Sequence, residues 1–376
     1  MSPTENRKLA VKRAVVVVGV VVFAAAAWSG FQVWSSWNDI ETVPFDVEGA
    51  RDALGTTTTV APPDTVAPGT TVTTTATPGP TTTTIPLLFI DRGRLNSFLV
   101  VGSDDSTLRA DVILLVMLPP DSGDAVMVSI PRDLYVMNPC RNVKTKINEN
   151  LFGCENVGVS GPEQLAIAVE DFTGVPIDHF AMFTFPGFRQ IIDRVGGVEV
   201  CVGPYAIRDK NEDLSPNWSP TDNWDYFQLR AGCSQVNGHQ ALSWVRSRKT
   251  QQMTDAGWTT MPGVSDLTRN QRQQDLLLTA LDQLKEIRSI PELQGLVEDV
   301  SNAFTIDDDL GLGDAIALLW DVRTISSDDI HRVTLDVRTS TTALDESILL
   351  LNAPFQDTLI GGYPPAFQFF EGWSGG

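Results

Sequence analysis

Two aspartates flank the turn that follows one short apolar run: Asp104, closing Gly102-Ser103-Asp104, and Asp111, opening the next run in Arg109-Ala110-Asp111. A turn returning between adjacent strand ends would bring both carboxylates to one point at a sheet rim, where oxygen donors hold a hard divalent cation. The plain alternative is a pair of solvated turn acids. A third apolar run stops at Ile130-Pro131-Arg132-Asp133. Proline ends a strand and turns the chain, which leaves Arg132 at the same rim, with Lys144, Lys146 and Asn148 soon after. Taken alone, Arg132 also reads as the surface partner of Asp133.

The densest chemistry lies between Gly238 and Gln274. A helix starting at Gly238-His239-Gln240 runs into Val245-Arg246-Ser247-Arg248-Lys249, and a second opens at Asp266-Leu267-Thr268-Arg269-Asn270-Gln271-Arg272-Gln273-Gln274. Asp266 can cap the second helix by accepting from orphan backbone donors of its first turn. Arg269, Arg272 and Gln273 share a face by three-and-four spacing, close to the positive helix end where anions bind. The planar arginine fork makes bidentate bonds to phosphate oxygens, so Arg246, Arg248, Arg269 and Arg272 form a candidate phosphate or pyrophosphate clamp. A basic face paired with nearby acids is the competing reading.

These residues need a rigid frame, and the surrounding pattern supplies one. Ser97–Gly102, Val112–Leu118 and Ala125–Ile130 are short runs rich in Val, Ile and Leu with turn signals between them, as expected of strands buried on both faces. Helical patterns follow at Gly161–Thr173, Phe185–Val195, Asn237–Val245 and Asp266–Ile287. Strands interleaved with helices predict an α/β body with helices on both sheet faces. Ile306-Asp307 and Val333-Thr334-Leu335 read as closing elements of the same body.

The 376-residue chain carries a net charge of −20, and its only acid ahead of Ser35 is Glu5. A general nucleic-acid binder needs a basic surface and is excluded by this balance; an anionic ligand would require a local arginine cluster or a metal. From Ala14 to Trp34 there is no charge, and Arg7, Lys8, Lys12 and Arg13 precede the run while Trp28, Trp34 and Trp37 mark its far end. As a helix it reaches about 30 Å, the thickness of a bilayer core. The positive-inside rule puts the N-terminus in the cytoplasm and the body outside; a cleaved signal peptide, with Ala25 and Ala27 at the cleavage site, also delivers the body outside.

Gly55 to Pro86 is Thr- and Pro-rich with nothing large to bury, which predicts a disordered linker reaching at most about 100 Å. It is either a stalk that sets the body's height above the membrane or a passive spacer. In an oxidising exterior, Cys140 with Cys154 and Cys201 with Cys233 suggest two local disulfides, one of three possible pairings.

The segments FLVVGSD (Phe98–Asp104), RADVILLVML (Arg109–Leu118), VSIPRDLYV (Val128–Val136), KIN (Lys146–Asn148), GVPIDHFAMFTFPGF (Gly174–Phe188), VGGVEV (Val195–Val200), NGHQALSWVRSRK (Asn237–Lys249) and DLTRNQRQQ (Asp266–Gln274), in this order, resemble the LytR-CpsA-Psr family of membrane-anchored cell-wall proteins. The likeness covers roughly Asn96 to Ile287. It implies an α-β-α layered domain with a central mixed sheet, preceded by a transmembrane helix and linker: residues 1–13 cytoplasmic, 14–34 spanning, 35–95 linker with the 55–86 stalk, and 96–376 catalytic. It implies a phosphotransferase of the cell membrane that moves a glycopolymer from a polyprenyl-pyrophosphate carrier onto peptidoglycan.

By the same resemblance Asp104 and Asp111 hold Mg²⁺ (or Mn²⁺), and Arg132, Arg246, Arg248, Arg269 and Gln273 hold the pyrophosphate. Asp266 and Asp111 are the candidates for taking the hydroxyl proton, and Phe183, Phe185 and Phe188 either line a lipid groove or pack in the core. The sequence departs from the family in three places. Asp105-Ser106 stand where an arginine is usual, and both the loop Thr250–Ser265, carrying Trp258, and the acidic insert Arg208–Tyr226 are long. These departures bear on acceptor and polymer specificity. The rival readings are a noncatalytic polyprenyl-phosphate-binding scaffold and a polyprenyl-pyrophosphate pyrophosphatase.

Overall fold

The computed structural model describes residues 34–55, 96–103, 109–118, 125–209, 227–247, 249–262, 266–284, 298–301, 303–311, 313 and 330–355. The cytoplasmic tail, nearly all of the apolar 14–34 run and the Thr/Pro-rich run lie outside them, and no helix among the described residues is long and apolar enough to cross a membrane.

The chain opens with β1 (Glu41–Val43) and α1 (Val47–Ala53), then lays down β2 (Asn96–Ser103), β3 (Ala110–Leu118), β4 (Ala125–Ser129) and the hairpin β5 (Tyr135–Asn138) and β6 (Val143–Lys146). Next come α2 (Gly161–Thr173), β7 (His179–Thr184), α3 (Phe185–Arg194), β8 (Val198–Val202), β9 (Ile207–Asp209), β10 (Gln228–Leu229), β11 (Gly232–Val236) and α4 (Gly238–Arg246). They are followed by β12 (Thr250–Thr254), β13 (Gly257–Thr260), α5 (Asp266–Leu284), β14 (Phe304–Asp307), β15 (Ile330–Thr334) and the hairpin β16 (Val337–Thr341) and β17 (Ser347–Leu351).

Seven strands make the central mixed sheet in the order β1-β14-β7-β2-β3-β4-β15. Because successive side chains point to opposite faces, each apolar run feeds two cores. Leu99, Val101, Ile113, Leu115, Met117, Val126 and Val128 meet α2 through Leu165, Ala166, Ala168 and Val169. Val112, Leu114, Ala125 and Met127 point the other way, into a core completed by α3, α4 and α5. The layering is α-β-α, as the interleaved pattern implied.

Local chemistry sets the helix ends. Ser160 and Glu163 form a capping box at α2, Pro162 occupies its first turn, and Gly174 closes it with a left-handed φ of 73°. Glu163 also accepts from the backbone N–H of Asp46, the N-cap of α1. At α4 the capping box is Asn237 with Gln240, and Gly238 is required by close approach, since a Cβ there would lie 2.3 Å from the Arg189 carbonyl oxygen.

The segment 35–54, assigned to a linker from sequence, belongs to the body. β1 pairs in parallel with β14 at the sheet edge, and α1 packs on α2. Three residues of strand give no periodicity to read, so the assignment fails for want of signal. The Thr/Pro-rich run therefore lies between two docked elements and does not separate the body from the segment before it. Both expected disulfides are present: Cys140–Cys154, and Cys201–Cys233 directly across the β8/β11 pair. β14 and β15 complete the two flanks of the sheet, as expected of closing elements.

Docking of α1 rests on a buried ionic knot. Arg51, 8% exposed, donates to Glu170 through Nε (3.2 Å) and Nη2 (2.8 Å) and to Asp171 through Nη1 (2.7 Å). Burial pushes the Glu170 carboxyl above its ordinary range, against the pull of Arg51 and of the Ile177 N–H that it also accepts. Breaking such a pair strands a buried charge. Arg51→Ala is expected to lower unfolding stability by about 3–5 kcal/mol, read as a drop in the urea midpoint at unchanged slope.

Candidate functional site

β2, β4, β7 and β15 run in one direction, so their C-terminal ends and the start of β3 share one rim. Buried strands can present charge only there. Between β2 and β3 the register slips: Gly102 faces Val112 but Ser103 faces Ala110, which makes Asp111 the extra residue of a bulge. A bulge re-aims its side chain. Here the Asp111 Oδ1 is brought into direct contact with Arg132 Nη1.

Arg132 is held by its own turn. The Ile130 N–H donates to Ile113 O (2.9 Å), keeping β4 in register to its last residue; Leu134 N–H donates to Pro131 O (2.9 Å) and Asn148 N–H to Arg132 O (3.2 Å). Leu349 N–H of β17 braces the turn by donating to Asp133 O (2.9 Å). Lys146 Nζ lies 3.5 Å from Asp133 Oδ1. Arg132 Nε is buried without a hydrogen-bond partner among the described residues, and Asp133 Oδ2 lies 3.7 Å from it. A buried guanidinium N–H with no acceptor is costly to leave so, and an anionic oxygen is what would satisfy it.

Arg246 reaches the rim from the end of α4. Its guanidinium lies over the Phe185 ring at 4.8 Å, a cation–π contact. Phe185 opens α3 directly after Thr184, which is the register partner of Ser103, so the stack stands beside the end of β2. Thr184 Oγ1 caps α3 by accepting from Gly187 N–H (3.1 Å).

Arg272, expected in the anion clamp, is used differently. From α5 its Nη1 donates to Trp244 O (2.8 Å) and its Nη2 to Ser247 O (2.7 Å). These are the carbonyls of the last turn and of the C-cap of α4, where helix carbonyls run short of intrahelical donors; Trp244 O also accepts the Ser247 N–H at 3.3 Å. The fork that would suit a phosphate grips the helix end carrying Arg246. Thr250 Oγ1 joins the knot at 2.9 Å from Ser247 Oγ and 3.4 Å from Arg272 Nη1.

Of the other expected site residues, Gln273 is buried at 9% exposure, and its neighbour Gln274 donates to Val333 O. Asp266 is the first residue of α5 and Arg269 follows in its first turn; their side chains, with Asp104 and Arg248 entire, lie outside the described residues. Phe183, Phe185 and Phe188 are buried in the helix-side core. The support of Arg246 by Phe185 escapes sequence reading because no local spacing links them.

For a divalent cation, the rim offers the hard carboxylate oxygens of Asp111, a suitable donor type. The one His/Cys/Asp/Glu triple grouped closely enough among the described residues is Glu199, Cys201 and Cys233, whose sulfurs are consumed in a disulfide. A cavity of about 350 Å³ lies between α5, β8 and β15, with Val200, Leu276 and Leu278 as apolar lining and Glu199, Asp275 and Asp282 as acids.

The LytR_cpsA_psr family model matches residues 89–353. The polyisoprenyl-teichoic acid–peptidoglycan teichoic acid transferase TagV of Bacillus subtilis is 27% identical over 229 residues, 59% of this chain and 51% of TagV. The probable cell wall biosynthesis protein LcpB of Corynebacterium glutamicum is 35% identical over 149 residues, 40% of this chain and 31% of LcpB. The chain thus spans about half of the first relative and about a third of the second. Among solved structures, the LytR-Csp2A-Psr enzyme from Actinomyces oris superimposes with a TM-score of 0.52 at 25% identity, covering 72% of this chain and 91% of that one.

The Arg272 contacts generate a test. Arg272→Ala removes two charge-assisted bonds to helix-end carbonyls and is expected to cost about 2–4 kcal/mol. Arg272→Lys should recover less than half of that in a guanidinium chloride titration, because one ammonium cannot reproduce the fork.

Proposed function

The chain belongs to the LytR-CpsA-Psr family, and from that premise we propose that it moves a glycopolymer from a polyprenyl-pyrophosphate carrier onto a peptidoglycan hydroxyl. The observation that carries this reading is the convergence of Asp111, Arg132 and the Arg246-bearing end of α4 on one sheet rim, with a buried Arg132 N–H awaiting an acceptor. The name of TagV is that of a teichoic acid transferase to peptidoglycan, and that of LcpB places it in cell wall biosynthesis.

In the proposed reaction a peptidoglycan oxygen attacks the phosphorus that bears the glycopolymer. A P–O bond to the acceptor forms, the bridging bond of the pyrophosphate breaks, and polyprenyl phosphate leaves as the hydroxyl gives up its proton. Catalysis of this kind is mainly positioning and charge neutralisation. Arg132 and Arg246 would receive the phosphate oxygens, joined by Arg248, Arg269 and Gln273. Arg272 acts through the backbone of α4 as a positioning residue. Asp111, with Asp104, would hold Mg²⁺ or Mn²⁺, which when bound neutralises charge on the pyrophosphate. With Asp111 given to the metal, Asp266 would take the hydroxyl proton. We place the protein in the cell membrane, with 14–34 as the anchor and the body outside, where disulfides persist.

The test uses the full chain in detergent with a labelled polyprenyl-pyrophosphate glycan and peptidoglycan, with Mg²⁺ and with a chelator. Metal-dependent release of polyprenyl phosphate with label on the peptidoglycan is expected. Arg246→Ala and Asp111→Asn should each lower that release by at least about 100-fold while leaving the unfolding midpoint of Arg246→Ala unchanged. Tight lipid binding with no product would replace this reading by the scaffold, and release without labelled peptidoglycan by the pyrophosphatase.

A further inference from the structure

The described strands at the edges of the acidic insert and in the loop after Arg248 belong to one sheet. β9 and β10 flank the acidic insert, β12 and β13 form the loop that carries Trp258, and the four strands make an antiparallel sheet in the order β10-β9-β12-β13. One face is buried, since Ile207 and Leu229 enter the helix-side core. The register puts Arg208, Gln251 and Thr260 in one row of the opposite face and Met253 with Trp258 in the next.

On that open face Trp258 reaches back across β12, and the Arg208 guanidinium lies over its ring at 4.3 Å. Arg208 Nε donates to Gln251 Oε1 at 3.0 Å. Met253, 41% exposed, is tied by its N–H to Ala206 O at 2.9 Å, next to Tyr205, which is 46% exposed. The sheet is continuous with the site. Thr250, its first residue on β12, is buried on the covered face, bonds the Ser247 hydroxyl and lies within reach of Arg272 at the end of the Arg246 helix, so the strand bearing the open face starts from the helix end that carries Arg246.

We propose that this sheet face is the docking platform for an uncharged glycan strand, that of the acceptor, laid so that its hydroxyl meets the arginine rim. The inference rests on the phosphotransfer reading and names where its acceptor binds. Pyranose rings present C–H faces that pack on aromatic and thioether surfaces, and their hydroxyls pair with neutral amides and hydroxyls. Trp258 and Met253 supply the first kind of surface, Gln251 and Thr260 the second. Among the described residues of its two rows the face carries one charge, Arg208, already engaged by Gln251 and the indole, which favours an uncharged ligand over an anionic polymer. Two residues along a strand span about 7 Å and adjacent strands about 5 Å, so the two rows match one or two sugar rings.

The experiment titrates the full chain in detergent with a soluble hexamer of β-1,4-linked N-acetylglucosamine by calorimetry, a measurement that needs no lipid donor. Trp258→Ala and Met253→Ser are each expected to weaken binding by about 3- to 10-fold, while Leu344→Ser, at an exposed position on the C-terminal hairpin, has no effect. In the transfer assay Trp258→Ala should raise KM for the glycan acceptor by a similar factor, with kcat within about twofold and release of polyprenyl phosphate to water unchanged. Three results overturn the proposal: no hexamer binding by the unaltered chain at millimolar concentration, binding indifferent to both Trp258→Ala and Met253→Ser, or a preference for a poly(glycerol phosphate) oligomer that Arg208→Gln abolishes. Failure of the phosphotransfer reading shows separately, as absence of polyprenyl phosphate release by the unaltered chain.

Discussion

A strand covered by helices on both faces can carry charge only where it ends. That constraint organises this protein. β2, β3 and β4 supply apolar side chains to two cores, and their polar chemistry is displaced to one rim, where the bulge delivers Asp111 and the Pro131 turn delivers Arg132. The rim neutralises itself in part, Asp111 against Arg132, and leaves one buried N–H of Arg132 unmet among the described residues. A site that is nearly but not fully satisfied is positioned before its ligand arrives, which is how preorganised electrostatics lowers a barrier without reorganisation during the reaction.

Two arginines that look alike in sequence do different work. Arg246 lies on the Phe185 ring at the rim, and Arg272 spends its fork on the backbone carbonyls that end the Arg246 helix. Helical spacing placed Arg272 on a common face with Arg269 and Gln273, yet spacing cannot say whether a guanidinium meets an anion or a neighbouring helix. The cation–π shelf under Arg246 was illegible for the same reason: its ring comes from a different helix. By contrast, the three Val/Ile/Leu runs, the four helices and the two local disulfides were legible, because each is dictated by residues close together in the chain.

The misread parts share a physical cause. β1 is three residues long and owes its place to pairing with β14, so no periodicity announces it. The small sheet is assembled from strands on either side of β11 and α4, and its alternation is too short to rise above the polar background of Gln251, Gln252 and Thr254. Tertiary pairing creates both elements. Neither could have been derived from composition.

The docking of β1 and α1 ahead of the Thr/Pro-rich run changes what that run's length means. Gly55, just past α1, and Asn96, the first residue of β2, are both placed by the body, so the residues between them close a loop. The entropy of closing a loop grows only with the logarithm of its length, and each doubling adds about 0.6 kcal/mol. Residues can therefore be gained or lost there at almost constant stability and without moving the sheet relative to the chain that enters it at β1. Whatever lies between them, the chain enters the sheet at β1 and re-enters it at β2, so the rim keeps one address in the fold.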